Sequence, residues 1–176
     1  MNKYNLKEYL QEQLAPHPAT LESTSYDDQN KEYLCQDETT AGVYNFDAYI
    51  ADKHSGQQTP ASPDAIYIGI QKIYFIEFKN QPYKNIKSGQ IRRKFRKGTS
   101  VLQSMLEGYD PAECKFVFCV VFKAMPKPDN FDYRHFLQTA ARFDLDALNK
   151  ECGSFYDQVL TEDIDFFKRE FPRLQC

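Results

Sequence analysis

Tryptophan is absent from this chain of 176 residues, and glycine (7) and cysteine (5) are sparse. Without tryptophan, bulk must come from 14 phenylalanines and 12 tyrosines, so most of those rings are core material. No glycine-rich run is present, which excludes a loop of backbone amides that cradles a nucleotide phosphate. Cys35, Cys114, Cys119, Cys152 and Cys176 are odd in number and form no CxxC pair. Cys114 and Cys119 lie five apart on a predicted strand and so face opposite ways. These facts argue against a disulfide framework or a zinc knuckle and predict a reducing, cytoplasmic setting. His17, His54 and His135 are isolated, so neither an HNH nor an HxxxH metal site is present, and no cysteine has a histidine partner for thiol catalysis. No apolar run is long enough to span a membrane, and Met1-Asn2-Lys3-Tyr4 lacks a signal-peptide core, so a soluble protein is expected.

One long stretch without acidic residues is strongly basic. The formal net charge is −3, yet between Asn80 and Lys97 there is no Asp or Glu, while Lys84, Lys87, Arg92, Arg93, Lys94, Arg96 and Lys97 are all present. Both ends of the chain lean acidic, so a local basic patch sits on an acidic protein. Alone it reads equally well as a solvated helix face or a surface for a polyanion.

The apolar pattern predicts a single α/β domain. Leu6, Leu10 and Leu14 mark a helix from about Asn5 to Leu14, stopped by Ala15-Pro16-His17-Pro18. A second helix is expected near Tyr33-Leu34-Cys35. Gly42 to Ala51 alternates, with Tyr44, Phe46, Ala48 and Ile50 on one side, which suggests a first strand; Asp47, on the opposite side, reads first as a solvent residue and second as one that approaches the site. A polar loop runs to Pro63. Asp64 to Ile70 and Ile73 to Lys79 then read as a hairpin turning at Gln71-Lys72. After Pro82, Ile91, Phe95, Leu102 and Leu106 predict a helix, with Gly98 as a weak point. Cys114 to Phe122 is the signature of a central strand buried on both faces. Residues from about 129 to 172 read as a helical extension that packs on the sheet, forms a dimer or partner surface, or acts as a lid.

The hairpin carries the chemistry. With that turn, Asp64 faces Lys79, and Asp64, Ile66, Ile68, Ile70, Ile73, Phe75, Glu77 and Lys79 share one face. Opposed positions lie about 5 Å apart at Cβ and diagonal ones roughly 7–8 Å, close enough for both carboxylates to share a metal ion. The plain alternative is a salt pair that solvates a sheet edge. Ionisable groups on a face that is otherwise Ile and Phe favour function.

Pro63-Asp64 followed by Glu77-Phe78-Lys79 resembles the PD-(D/E)XK nuclease superfamily, whose restriction-endonuclease-like core runs α-β-β-β-α-β. The resemblance covers roughly Leu6 to Phe122. It implies Mg²⁺-dependent hydrolysis of phosphodiester bonds, with Mn²⁺ as a substitute and DNA ahead of RNA as the partner. It makes Asp64, Glu77 and the Phe78 carbonyl metal ligands, and gives Lys79 the attacking water and the charge of the transition state. Gln81, two beyond Lys79, matches a glutamine found in some members, with Gln90 as a second candidate. Glu8, Glu12, Glu22 and Glu32 are candidates for an extra acid. Lys84, Lys87, Arg92, Arg93, Arg96 and Lys97 would track phosphates, and Tyr83 would stack a base. The competing reading is a catalytically silent protein of the same fold, of nucleic-acid-binding or immunity type.

Overall fold

A computed structural model describes residues 5–109, 114–124 and 143–170. Helix α1 (Leu6–Leu14) buries Leu6, Leu10 and Leu14, and the Asn5 side chain caps it by accepting from the Glu8 amide. The short helix α2 (Leu21–Thr24) starts in a capping box between Thr20 and Ser23. Strands β1 (Tyr26–Asp27) and β2 (Glu32–Tyr33) form a small antiparallel hairpin. The helix expected near Tyr33 is therefore not there: Tyr33 is exposed and ends a strand, while Leu34 and Cys35 go into the core.

Strand β3 (Val43–Asn45) and helix α3 (Phe46–Lys53) divide the segment expected to be one strand. The Asn45 side chain accepts from the Ala48 amide and starts the helix, and Phe46, Tyr49 and Ile50 are buried at helical spacing. Strands β4 (Ala65–Ile68) and β5 (Lys72–Pro82) follow, then a 3₁₀ turn (Tyr83–Asn85) and helix α4 (Ser88–Met105). Strand β6 (Lys115–Lys123), helix α5 (Leu145–Glu151), strand β7 (Gln158–Asp163) and helix α6 (Ile164–Glu170) complete the described chain.

The five-stranded mixed sheet has the order β3-β4-β5-β6-β7. Strands β3, β4 and β5 are antiparallel neighbours; β5, β6 and β7 run parallel. Parallel neighbours need a long crossover, and α4 lies within the first of these. Strand β6 is buried along both faces, as its unbroken apolar run requires. The C-terminal segment is not only helical: β7 joins the sheet beside β6, and the part between 125 and 142 lies outside the described residues.

Alternation along the strands gives each face its own core. Ile66, Ile68, Ile73, Phe75, Phe116, Phe118 and Val120 pack with α1, α3, α4 and α5. Ala65, Ile76, Phe78, Val117, Cys119 and Val121 pack on the other side with Leu21, Leu34, Ile164 and Phe167. The Cys119 thiol is pushed up to about 12 by burial and is inert near neutrality. Cys114, Cys119 and Cys152 are outside any disulfide, whereas Cys35 is disulfide-bonded, contrary to expectation.

The hairpin register also differs. Ile68 pairs with Ile73 and Ala65 with Ile76, and the Gly69 amide donates to the Lys72 carbonyl at 2.9 Å. The turn is thus Ile70-Gln71, and Ile70 sits at its tip, 80 % exposed. Relative to the expected pairing the strands have slid by two residues. An even shift preserves the faces, so Glu77 and Lys79 stay on the α4 side.

Candidate active site at the end of the hairpin

The slide brings Asp64 up against Glu77, not Lys79. The Asp64 side chain reaches across and accepts from the Phe78 amide at 2.7 Å through Oδ2. The Phe78 ring is buried in the opposite core. Glu77 continues the row Ile73, Phe75 on the α4 face and is completely buried, 0 % exposed. Lys79, next on that row, puts Nζ 2.7 Å from Glu77 Oε1.

A further cation, Lys94, descends from α4. Its Nζ lies 2.7 Å from Asp64 Oδ1, 2.9 Å from Glu77 Oε2 and 3.5 Å from Asp47 Oδ2. Asp47, expected in solvent, is in the cluster because α3 begins at Phe46, whose amide donates to the Asp64 carbonyl at 3.1 Å. The Ser62 hydroxyl donates to the other Asp47 oxygen. Glu77 is thus held between two ammonium groups, yet neither of its oxygens meets a donor in hydrogen-bond geometry. The contacts are ion pairs by distance but leave the carboxylate poorly satisfied.

Charge and burial set the protonation states. Burial pushes the Glu77 carboxyl up to about 7; the Asp64 charge adds to this, and Lys94 and Lys79 pull against it. Burial, aided by Asp64, also raises the Asp47 carboxyl against the opposing pull of Lys94 and Ser62. Burial alone would depress the Lys94 ammonium, but Asp64, Glu77 and Asp47 outweigh it and hold it above the ordinary lysine value.

Backbone packing fixes the geometry. Gly98 lies on the buried side of α4, and a Cβ there would stand 2.7 Å from Cδ of Pro63. The missing side chain lets α4 press against Ser62-Pro63, immediately before Asp64. Far from weakening the helix, this glycine sits in an unbroken run from Ser88 to Met105.

Two cavities meet the cluster, the smaller of them mainly polar. One, about 520 Å³, is lined by Asp27, Asp64, Lys79, Gln81, Lys87 and Gln90 among others. Both candidate glutamines therefore reach the same cleft as Asp64 and Lys79. The Asp27 carboxyl in its wall is lowered despite burial, by bonds from Gln29 and Asn30 and by the Lys79 charge. The other cavity, about 740 Å³, is lined by Asp47, Ser62, Arg93, Lys94 and Lys97 with the loop Gln58 to Ala61.

The basic run is divided among three tasks. Lys87 faces the smaller cavity, Arg93 and Lys97 the larger. Arg92 donates to the Phe143 carbonyl at 3.1 Å and lies 3.5 Å from Asp144, and Arg96 pairs with Glu151 at 2.8 Å. These two hold α5 on α4 and are not a free phosphate surface. Lys84 lies exposed in the 3₁₀ turn. Tyr83 packs against Phe122 and Phe143, with centroids 5.7 and 6.1 Å apart, as core and not as a stacking platform.

None of the four glutamates considered for an extra acid lines the cleft. Glu8 and Glu12 are on the exposed side of α1, Glu22 lies beside Glu38, and Glu32 pairs with Lys123 at 2.5 Å. The acid beside the site is Asp47 instead. Its signal in the sequence was Asn45 as a helix cap, which makes Asp47 a first-turn residue. Lys94 had a signal too, three residues beyond Ile91 and four before Gly98, on the flank of the buried stripe.

The donor set suits a hard divalent cation. Mg²⁺ takes one or two carboxylates and completes its shell with water and substrate oxygens. Asp64 and Glu77 are two such carboxylates, and the buried Glu77 oxygens meet no hydrogen-bond donor in good geometry. Among the described residues no three acidic, imidazole or thiol groups converge as a ready-made site. No protein-family model matches the chain, and neither a curated protein nor a solved structure is detectably similar to it.

Proposed function

We propose that this chain is a metal-dependent nuclease of the restriction-endonuclease-like class that hydrolyses phosphodiester bonds, acting on DNA ahead of RNA. The observation that carries this reading is the fully buried Glu77 carboxylate opposite Asp64 and paired with Lys79, directly behind the polar cleft that Asp64 and Lys79 line. A buried acid with unsatisfied oxygens is costly to a fold, and such groups cluster where chemistry needs them.

Asp64 Oδ1 and the Glu77 carboxylate would hold a Mg²⁺ ion, for which Mn²⁺ substitutes. Bound there, the ion polarises a phosphoryl oxygen and lowers the pKa of a water. Lys79, whose Nζ lies 2.7 Å from Glu77 Oε1, would offset negative charge as it builds on the phosphorus, and stabilising charge is the role we give it. Gln81, Lys87 and Gln90 line the approach and orient the sugar-phosphate chain, while Arg93 and Lys97 bind flanking phosphates from the larger cavity. The gathering of acids at the reacting centre with cations around it draws in a polyanion and still leaves room for a metal.

One observation favours the competing reading of a silent, binding-only protein. The Lys94 ammonium already neutralises Asp64 and Glu77 without a metal. The decisive measurement is cleavage of plasmid, linear and single-stranded DNA and structured RNA in Mg²⁺, Mn²⁺ or EDTA, beside Lys79→Ala and Asp64→Asn. Metal-dependent cutting lost in both variants is the expected result. Folded protein that cuts nothing on any substrate would hand the case to the silent reading.

A further inference from the structure

Lys79 pairs with Glu77 through Oε1 and leaves Oε2 to Lys94. Asp64 Oδ2 is likewise taken, by the Phe78 amide. The two remaining oxygens, Asp64 Oδ1 and Glu77 Oε2, both close on one nitrogen, Lys94 Nζ, at 2.7 and 2.9 Å. A single positive point bridging two carboxylates from neighbouring strands is what a bound cation would be.

We propose that Lys94 is a resident counter-cation: its ammonium occupies the seat that a divalent ion takes between Asp64 and Glu77, and metal binding displaces it towards Asp47. This rests on the metal-dependent reading above. Three features make the exchange workable. The Lys94 charge sits at the end of a flexible four-carbon stem, while Ile91, Phe95 and Gly98 bury the backbone of α4 that carries it. Asp47, already 3.5 Å from Nζ and held by the Ser62 hydroxyl, offers the displaced ammonium a partner. The larger cavity, with Asp47 and Lys94 in its wall, gives it room. There it joins Arg93 and Lys97, so arrival of the metal adds a third cation to the surface that binds flanking phosphates. Metal and polyanion would then strengthen one another's binding, as linkage requires.

The test is Mn²⁺ binding to the full chain, read by calorimetry and electron paramagnetic resonance, for wild type, Lys94→Gln, Lys94→Met, Asp47→Asn and Asp64→Asn. With the resident charge gone, both Lys94 variants should bind Mn²⁺ at least about tenfold tighter than wild type. Their melting temperatures should rise more on adding Mn²⁺ than that of wild type. Asp47→Asn should bind more weakly, because the displaced ammonium loses its partner, and this variant leaves the buried pair intact. Equal or weaker binding by folded Lys94 variants, or unchanged binding by Asp47→Asn, would overturn the proposal and leave the nuclease reading standing. No difference between wild type and Asp64→Asn in any Mn²⁺ signal would overturn both.

Discussion

Lys94 and Arg96 stand two residues apart on α4, carry the same charge and each meet a carboxylate at under 3 Å, yet they do different work. Arg96 and its partner Glu151 are half-exposed, at 50 % and 56 %, and their bond joins two helices across water. Lys94 is 15 % exposed and meets Glu77, which is 0 % exposed. Water screens the first pair to a contribution of about 0–1 kcal/mol. In the second, water has been removed from both partners, and either group left alone would be a bare charge in a poor solvent. One helix therefore spends its outer cations on docking and its inner one on keeping a chemically awkward acid tolerable.

Removing the inner cation should expose this contrast most sharply. Lys94→Met in EDTA at pH 8 is expected to lose about 3–5 kcal/mol in denaturant unfolding, as for other broken buried pairs. At pH 6 the loss should be smaller, since Glu77 can then take up a proton. A Lys94→Met protein as stable as wild type at pH 8 would break the comparison.

Next comes the pH dependence of the intact protein. Glu77 has a folded pKa of about 7, above the 4.5 it returns to on unfolding, so the native state binds the extra proton between those values. Its effect is to lower stability as pH rises from about 4.5 to 7, by about 3 kcal/mol at most, and to add no slope above that. Glu77→Gln should remove this part of the slope. A wild type whose stability from this group rises over the window would refute the assignment.

Gly98→Ala probes the backbone that holds the inner pair. The added methyl meets Pro63 at 2.7 Å, and overpacking of this kind costs about 1–3 kcal/mol. The proposed cleavage activity should fall as well, because Asp64 follows Pro63 directly. Smallest of all, Arg96→Ala should cost no more than about 1 kcal/mol, and its effect should shrink with added salt.

The parts legible in the sequence were those with strong periodicity. The run from Lys115 to Phe122 could only be a buried strand, and the Ile91, Phe95, Leu102 spacing could only be a helix. The hairpin was readable to its faces but not its turn. Gly69 was counted as strand, although its bond to Lys72 makes it the closing pair, and the even slide left the charged face where it was expected. Phe46 to Ile50 fits alternation and helical spacing equally in so short a window, and the cap at Asn45 decides between them. Strand β7 escapes sequence reading because Gln158–Asp163 is exposed at Gln158, half-buried elsewhere and carries three charged or amide side chains, so only its pairing with β6 reveals it. Lys94 and Asp47 were hidden for a different reason: they come to the site from two helices, and nothing local in either segment states that they meet.

Strand β7 also acts as a safeguard. Without it, β6 would present a free edge nine residues long and apolar on both faces, the kind of row that pairs with its like in a neighbouring molecule. The modest, polar strand from Gln158 to Asp163 takes up those hydrogen-bonding groups and puts its own half-buried rim outermost. A chain cut off before it would keep every residue of the charged cluster and bare that edge, so a trimmed core should aggregate through it.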